Sequence, residues 1–400
     1  MTKKTKTGRN PTNIQHSSTF QYMIILIVLS VLNISVFVGF RNPSVPLHCS
    51  PDTLLQVVSL YLGNNGQTTL RKLLPQECSN LNEKSEVELQ SSVRQFLSSC
   101  KHSDQRKTKL VDREPLITLF TTFADHFHTD AEKLSVHNNT LVNWASFKSS
   151  VNLILFSSDE YWNKVAQSFG WDVIKPLIEN NGTKPPVLQD MFSLAMSRYN
   201  TKWYGYVNAD ILFTRDLILN LETLTQIYNT SNTRILLTGR RTNVDNLTRL
   251  DPKSDMDINQ RAKQFGQLYK EDAEDFFITT SSFPWKRILP VVVGRPGYDN
   301  WLVGEARCRL NTTVIDVTRT LLAFHQTTKK GGNNEGHFHK DSDYNYNIFK
   351  KNKLIPNFLA GLTDCIVYYT YRTFCDTIEI AKRTHFGPLC DCRYKPSRRV

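Results

Sequence analysis

The stretch Trp203–Phe213, WYGYVNADILF, decides the fold. Its apolar run predicts a buried strand that ends in a polar break at Asn208-Ala209-Asp210. In an extended backbone, residues two positions apart point to the same side, so Asn208 and Asp210 present two oxygen donors together. Such oxygens suit Mg²⁺ or Mn²⁺ bridged to a diphosphate. The alternative is that Asp210 caps the next helix, which we expect to begin around Thr214.

Apolar runs on both sides of this stretch predict further strands. They are LITLFTTF (116–123), VNLILFSSD (151–159), RILLTGRR (234–241), ILPVVVGR (288–295) and TVIDVTRTLLAFHQ (313–326). Helical patterns between them, one ending at Gly170 and one over 187–199, predict an α/β domain with a mostly parallel sheet. Ligands of such domains collect at the carboxyl ends of the strands, where Thr121, Asp159, Asp210, Arg240 and His325 fall.

The N-terminus predicts a membrane anchor. Residues 1–21 form a basic tail without acids, and Tyr22–Phe40 is a run of nineteen uncharged residues. As a helix that run spans about 29 Å, close to the thickness of a hydrocarbon core. The positive flank predicts a cytosolic tail, with everything after residue 41 luminal or extracellular. A cleaved signal peptide would have a shorter apolar region.

The chain beyond the anchor divides into a partly helical stem (41–110), the α/β domain (111–345) and a Cys-rich, basic C-terminal wrap (346–400). All eight cysteines follow the anchor, and an even number in an oxidising compartment predicts disulfides whose pairing stays open. N-glycosylation sequons on the same side of the anchor agree with this topology. They begin at Asn138, Asn181, Asn229, Asn246 and Asn311.

Composition and charge exclude several classes of protein. Of the 400 residues, 40% are hydrophobic and 11% aromatic, which excludes a disordered chain. The sequence has no triplet glycine period and no stretch dominated by Ala, Glu, Lys and Leu, which excludes collagenous and coiled-coil chains. The net charge of +12 invites a nucleic-acid partner. However, four bases lie in the N-terminal tail, and six more follow residue 381 with one acid among them. The remaining excess is small, and we expect no nucleic acid to bind.

Over roughly residues 111–345, the series ITLFTTF, NLILFSSD and YGYVNADILF resembles the GT-A fold of nucleotide-sugar glycosyltransferases. Golgi members of that family share the order of tail, anchor, stem and catalytic domain. The resemblance implies a hexosyl- or N-acetylhexosaminyl-transferase in the Golgi membrane, single-pass and type II, with its catalytic domain in the lumen. It would move a sugar from a nucleotide donor, UDP-linked, to a glycan or glycoprotein acceptor.

The resemblance also implies roles for single residues. Asp210 would bind the metal, Mn²⁺ or Mg²⁺, and His325 would complete its shell. Asn208 stands where the family has its first Asp; an amide can coordinate or bond to the ribose, and metal dependence stays open. Thr121, Thr122 and Asp159 would contact the donor's uridine or ribose. Arg240 follows a strand and would attract the diphosphate if no metal is present.

The segment VVVGRPGYDNWLV (291–303) places Asp299 after a Gly-Pro-Gly loop. By the same resemblance Asp299 is the base that takes the acceptor's proton if the reaction inverts; otherwise it caps the following helix. In EDAEDFF (271–277), Glu274 or Asp275 would be an alternative base, or the run is a solvated acidic turn. His337 and His339 lie in a Gly/Asn-rich stretch suited to a lid over the donor.

Two other functions remain open at this point. Asn208 in place of an acid favours a GT-A-like protein that has lost its chemistry and binds carbohydrate or a protein partner. Disulfides and glycans are also compatible with a surface receptor or adhesion module, but the predicted parallel sheet disfavours it.

Overall fold

The computed structural model describes residues 114–123, 130–176, 186–328, 335–373 and 376–393, all of them in one compact unit, Leu110–Val400. The predicted anchor and stem, Asn181 and four of the cysteines lie outside the described residues. Within them, no helix combines the length and the apolar character that a membrane crossing requires.

Thirteen strands and seven α-helices are described. The strands are β1 (Ile117–Thr122), β2 (Val151–Phe156), β3 (Asp172–Ile174), β4 (Trp203–Val207), β5 (Ile211–Leu212), β6 (Ile235–Thr238), β7 (Arg241–Val244), β8 (Gly266–Leu268), β9 (Phe276–Thr280), β10 (Thr313–Asp316), β11 (Ala323–Gln326), β12 (Tyr368–Arg372) and β13 (Ile378–Lys382). The helices are α1 (Ala131–Ala145), α2 (Glu160–Ser168), α3 (Leu188–Arg198), α4 (Asp216–Ile227), α5 (Asp255–Phe265), α6 (Asp299–Cys308) and α7 (Tyr344–Lys351).

Nine strands form the central sheet in the order β13-β12-β10-β6-β9-β4-β1-β2-β3. Neighbouring strands are parallel except where β9 or β13 takes part. Side chains of α1, α2 and α4 pack in the core on one face of the sheet, and those of α3, α6 and α7 in the core on the other. The predicted α/β class with helices flanking a large, mostly parallel sheet is therefore confirmed.

The continuous apolar runs follow from this two-sided burial. On β1, Leu119 belongs to one core and Phe120 to the other, and both are fully buried. Because helices cover both faces, a strand at the centre of the sheet gains from apolar side chains at successive positions.

A second sheet, β5-β11-β7-β8, grows directly out of the first. Strand β4 leads through the polar break into β5, β6 leads through Gly239 and Arg240 into β7, and β10 leads through a six-residue turn into β11. Three strands of the central sheet thus leave it at the same end and pair again in the small sheet. The pairing of β5 with β11 brings two of the candidate residues, Asp210 and His325, together in this way.

Two sequence-based assignments of strands are wrong in part. The run 313–326 is two strands, β10 and β11, separated by a turn whose Thr320 and Leu321 amides bond to the carbonyl of Val317. The run 288–295 forms no strand, only a single bridge between Val292 and Val187. Pro290 lacks a ladder donor and Gly294 has φ of +69°, so both break an extended ladder.

Six strands lie outside the predicted runs or overlap them at a single residue: β3, β7, β8, β9, β12 and β13. Strand β9 follows the acidic run and lies between β4 and β6, and β12 and β13 come from the segment 346–400. That segment therefore extends the sheet as well as wrapping it. Two disulfides, Cys308–Cys392 and Cys365–Cys390, hold its end, which confirms the prediction of disulfides for these four cysteines.

Helix α6 approaches the backbone of Leu359–Gly361 without intervening side chains. A Cβ atom on Gly361 would overlap the carbonyl of Asn300, and one on Gly304 would lie 3.1 Å from the carbonyl oxygen of Asn357. Both glycines are therefore needed for close approach, and the contact fixes the beginning of α6, where Asp299 lies.

Replacing Gly361 by Ala is expected to lower the free energy of unfolding by about 1–3 kcal/mol, because α6 must move away. Chemical denaturation measures this change. Gly387→Ala is the matched control, since a Cβ there meets nothing within 4 Å and φ is −66°. Equal stability of the two variants would contradict the tight contact.

Candidate functional site

Helix α1 fixes the polar break after β4. The hydroxyl of Thr140 donates to the carbonyl of Ala209 at 2.7 Å, and the indole of Trp144 donates to the carbonyl of Ile211 at 3.0 Å. These bonds satisfy backbone acceptors that no strand ladder reaches. The backbone on both sides of Asp210 is thereby held in place.

Asp210 and His325 are in contact. Strands β5 and β11 pair antiparallel with His325 opposite Ile211, so Asp210 comes next to the imidazole. Asp210 Oδ2 lies 3.2 Å from His325 Nε2, and His325 Nδ1 lies 3.1 Å from the hydroxyl of Thr327.

Two atoms of this pair are suited to bind a cation. Asp210 Oδ1 and His325 Nε2 are buried, and apart from the 3.2 Å contact of Nε2 with Asp210 Oδ2, neither atom has a partner among the described residues. Buried polar atoms are normally bonded, so such atoms on adjacent side chains point to an absent ligand. Carboxylate oxygen and imidazole nitrogen are both ligands that Mn²⁺ accepts.

The charges around Asp210 keep it ionised. Burial by itself would raise the pKa of Asp210, but His325, Arg241 and Lys133 outweigh that effect and hold the pKa below its usual range. Asp210 does not cap the following helix, since α4 begins at Asp216, after Arg215 at the cap position.

The amide of Asn208 is fully engaged. Its Oδ1 accepts hydrogen bonds from the hydroxyls of Tyr206 (3.0 Å) and Tyr298 (3.3 Å), and its Nδ2 donates to Asp275 Oδ1 at 2.8 Å. Asp275 Oδ2 accepts from Arg241 Nη1 at 2.7 Å, and both side chains are more than nine-tenths buried. Asn208 thus joins two phenols to a buried ion pair, and a role as metal or ribose ligand stays a prediction.

The acidic run is not a solvated turn at Glu274 and Asp275. Glu274 is fully buried and Asp275 is 7% exposed, because they lead directly into the central strand β9. Glu274 Oε2 accepts from Asn300 Nδ2 at 2.6 Å, while Oε1 is buried and has no described partner. Burial, reinforced by Asp299, raises the pKa of Glu274 well above its usual value, so we expect a protonated carboxyl.

Asp299 lies beside this acid as the first residue of α6, one position past the cap residue Tyr298. Its Oδ1 accepts from the backbone N–H of Asn300 at 2.9 Å. Burial raises the pKa of Asp299 to about 7, with Asp275 and Asp272 adding to the shift. A carboxyl with this pKa exchanges its proton near neutral pH, as a general base must.

The other predicted donor-binding residues take different positions. Thr121 is fully buried and its hydroxyl has no described partner, whereas the hydroxyl of Thr122 donates to the carbonyl of Phe156 at 2.8 Å. Asp159 caps α2 by accepting from the backbone N–H groups of that helix's second and third residues. A contact of these residues with a donor stays a prediction.

Arg240 is engaged with Tyr269 and Glu271. Its guanidinium donates to the carbonyl of Tyr269 and lies 3.6 Å from the Glu271 carboxylate. Binding of a diphosphate by Arg240 stays a prediction. His337 and His339 are both exposed, and His339 Nε2 lies 3.2 Å from Arg295 Nη2.

The sequons also stay predictions. Asn229, Asn246 and Asn311 are exposed. Asn138 is half-buried within α1, and the hydroxyl of its sequon residue Thr140 is bonded to Ala209.

Sequence reasoning missed three side chains of the site. Tyr206 had a usable signal, since it stands two residues before Asn208 on the same strand face. Tyr298 and His137 had none, because their positions depend on tertiary packing. Burial lowers the pKa of His137 to about 3, and Asp210 opposes that shift. His137 is therefore a neutral imidazole within electrostatic range of Asp210.

Within the described residues, no three His, Cys, Asp or Glu side chains group into a metal site. A cation at Asp210 and His325 would need further ligands from a bound diphosphate or from water, which Mg²⁺ and Mn²⁺ commonly accept.

No family model matches the chain, and no curated protein matches it. Among solved structures, it is similar to 4-diphosphocytidyl-2C-methyl-D-erythritol synthase from Anaerococcus prevotii (TM-score 0.24, 7% identity, 42% of this chain and 71% of that one). It is also similar to the inositol-1-phosphate CTP transferase from T. maritima (TM-score 0.29, 11% identity, 60% and 98%) and to a mycobacterial protein (TM-score 0.29, 10% identity, 54% and 66%). At such scores these similarities carry no argument about the activity of this chain.

Glu274→Gln is expected to make stability less dependent on pH. A carboxyl whose pKa is raised in the folded state stabilises the fold relatively at low pH, and this contribution is lost as pH rises above the unfolded value near 4.5. Unfolding temperatures of variant and wild type are compared at pH 4 and pH 8. From pH 4 to pH 8, the unfolding temperature of the variant should rise by roughly 2–8 °C relative to that of the wild type.

The control for this measurement is Glu271→Gln, at a side chain that is 44% exposed. It should follow the wild type at both pH values. If Glu274→Gln also followed the wild type, Glu274 would be ionised in the folded protein.

Proposed function

We propose that this chain transfers a sugar from a nucleotide donor, UDP-linked, to a glycan or glycoprotein acceptor. The observation that carries the proposal is the contact of Asp210 with His325, where two buried coordinating atoms have no described hydrogen-bond partner. They lie beyond the carboxyl ends of β4 and β10, where ligands of such sheets bind. Asp299 is the first residue of α6, and the hydroxyl of the preceding Tyr298 donates to Asn208, which lies two residues before Asp210.

Asp210 and His325 would hold Mn²⁺ or Mg²⁺. When bound, the cation supplies a Lewis acid that neutralises charge on the departing nucleotide. Asp210 brings the negative charge needed for this role, because its neighbours keep it ionised. Asn208 does not add a ligand in this proposal, since its amide oxygen already accepts from two phenols.

Asp299 would accept the proton of the attacking hydroxyl. Its pKa of about 7 allows it to be ionised before the reaction and still basic enough to take a proton. The bond between Asn300 and Glu274 and the contact with Gly361 hold the beginning of α6, so that this carboxyl is oriented before the acceptor arrives.

We further propose that the chain is a single-pass type II protein of the Golgi membrane, anchored in the lipid bilayer by residues 22–40. Two disulfides support a luminal domain, since such bonds persist in oxidising compartments. The three exposed sequons, Asn229, Asn246 and Asn311, agree with the same side of the membrane.

A second candidate function is carbohydrate or partner binding without catalysis. The observation in its favour is Asn208, which replaces an acid and is tied into a hydrogen-bond network instead of facing a ligand. Turnover of a nucleotide sugar separates the two candidates.

Asp210→Asn is expected to lower transfer at least a hundredfold and to weaken Mn²⁺ binding, because the amide lacks the charge that attracts the cation. Full-length chain is assayed with a panel of nucleotide sugars, and Mn²⁺ affinity is measured by calorimetry. Asp316→Asn is the control, since Asp316 is another acid of the same sheet, is 3% exposed and is ion-paired with Arg383 at 2.6 Å. Undiminished Mn²⁺ binding by Asp210→Asn would remove Asp210 from the metal site.

The rate of sugar transfer should fall as the pH drops below neutral. A base with a pKa of about 7 is increasingly protonated as pH falls, so kcat/KM should drop about tenfold per unit at lower pH. Asp299→Asn should lower kcat at least a hundredfold at all pH values. The exposed Asp364, changed to Asn, should leave the profile intact. A profile that is flat between pH 5 and 8 would rule out Asp299 as the base.

A further inference from the structure

Helix α7 is pinned to the loop that leads to Asp299. The fully buried Asn345 accepts from the backbone N–H of Val292 at 2.9 Å and donates to the carbonyls of Val292 (3.0 Å), Arg295 (3.2 Å) and Pro296 (3.1 Å). One side chain thus satisfies four backbone groups of this loop. The first turn of α7 therefore keeps a fixed place relative to Asp299.

Tyr346, the next residue of α7, packs against the same loop. Gly297 has φ of +87° and no side chain, and a Cβ there would lie 3.3 Å from Cε1 of the tyrosine ring. The ring of Phe358 meets the tyrosine ring edge-on, with centroids 5.9 Å apart at 79°. Burial raises the pKa of Tyr346, and Asp299 adds to the shift, so the phenol lies within electrostatic range of that carboxyl.

Although it is supported in this way, the ring remains 41% exposed. No hydrogen bond of its hydroxyl is found among the residues that the structure describes. A backed aromatic side chain that stays partly exposed and ends in a hydroxyl offers a binding surface for a ligand that is apolar on one side and polar at its rim.

We infer that Tyr346 is the platform for the acceptor, and that the acceptor is a pyranose whose C–H face packs on this ring. A pyranose offers such a face, with hydroxyl groups around its edge. A sugar seated there would turn an edge hydroxyl toward the Asp299 carboxyl, the group that takes its proton in the proposed reaction. The inference rests on the proposed transfer, but it concerns binding that needs neither donor nor metal.

Exposed aromatic side chains are common, and most bind nothing. Phe386 is an example with the same exposure, 42%. It lies in the loop before Cys390, and Cys390 is bonded to Arg307 near the end of α6, whereas Asp299 begins that helix. Tyr346 differs in being backed by a pinned loop and in lying within electrostatic range of the candidate base. Phe386 therefore serves as the matched control.

The test is saturation-transfer NMR on the full-length chain with methyl β-D-galactopyranoside, methyl β-D-glucopyranoside and methyl α-D-mannopyranoside, without donor or metal. Wild type should bind at least one glycoside, with transfer strongest to the C–H protons of one sugar face. Tyr346→Ala should weaken that binding at least fivefold. Tyr346→Phe should retain it within about twofold because the ring is kept, and Phe386→Ala should match wild type.

Two results would overturn the inference: no binding of any glycoside by wild type, or binding by Tyr346→Ala equal to that by Phe386→Ala. Hydrolysis of the nucleotide sugar by water, measured on the same proteins, keeps the two proposals distinguishable. Loss of glycoside binding in Tyr346→Ala with no donor turnover in wild type would leave the platform standing and refute the transfer. Donor turnover without a Tyr346-dependent glycoside site would do the reverse.

Discussion

The pairing of buried charges at the junction of the two sheets is the constraint on which the rest of the site depends. Three strands leave the central sheet there, and they carry polar groups into a region that is largely buried. Unpaired charges in such a place are costly, so Asp210 lies against His325 and Arg241 lies against Asp275. Helix α1 holds the backbone next to Asp210, and the pairing of β5 with β11 brings His325 to it.

The surroundings of the acids in this site shift their pKa values in opposite directions. Cationic neighbours keep Asp210 ionised, whereas burial among other carboxyls raises the pKa values of Glu274 and Asp299. One region thus holds a permanently charged carboxylate and another holds carboxyls that gain and lose protons more readily. Environments that separate acids in this manner are a frequent basis for dividing catalytic roles.

The sequence predicts those parts of the arrangement in which the local residue pattern agrees with the burial that the fold imposes. The runs that became β1, β2 and β4 are continuous and apolar because both faces of these strands are buried. Asp210 and His325 were both expected at strand ends, and they meet because β5 and β11, which follow β4 and β10 in the chain, pair in the second sheet. Strand β13 at the edge of the sheet and its neighbour β12 were missed because they are only partly buried and carry polar residues. Strand β9 was missed because its acidic approach resembles a surface turn, and only tertiary structure shows that Glu274 is enclosed.

The order of strands in the central sheet has a consequence for the synthesis of the chain. Strand β9 lies between β4 and β6 but is made after both, and β10 receives its second neighbour only when β12 has been made. A chain that emerges from its N-terminus therefore presents open, apolar strand edges to its surroundings for most of its elongation. These edges stay unpaired until the last strands have been made, so the hazard of association with other chains depends on the order of synthesis and not on the stability of the finished fold.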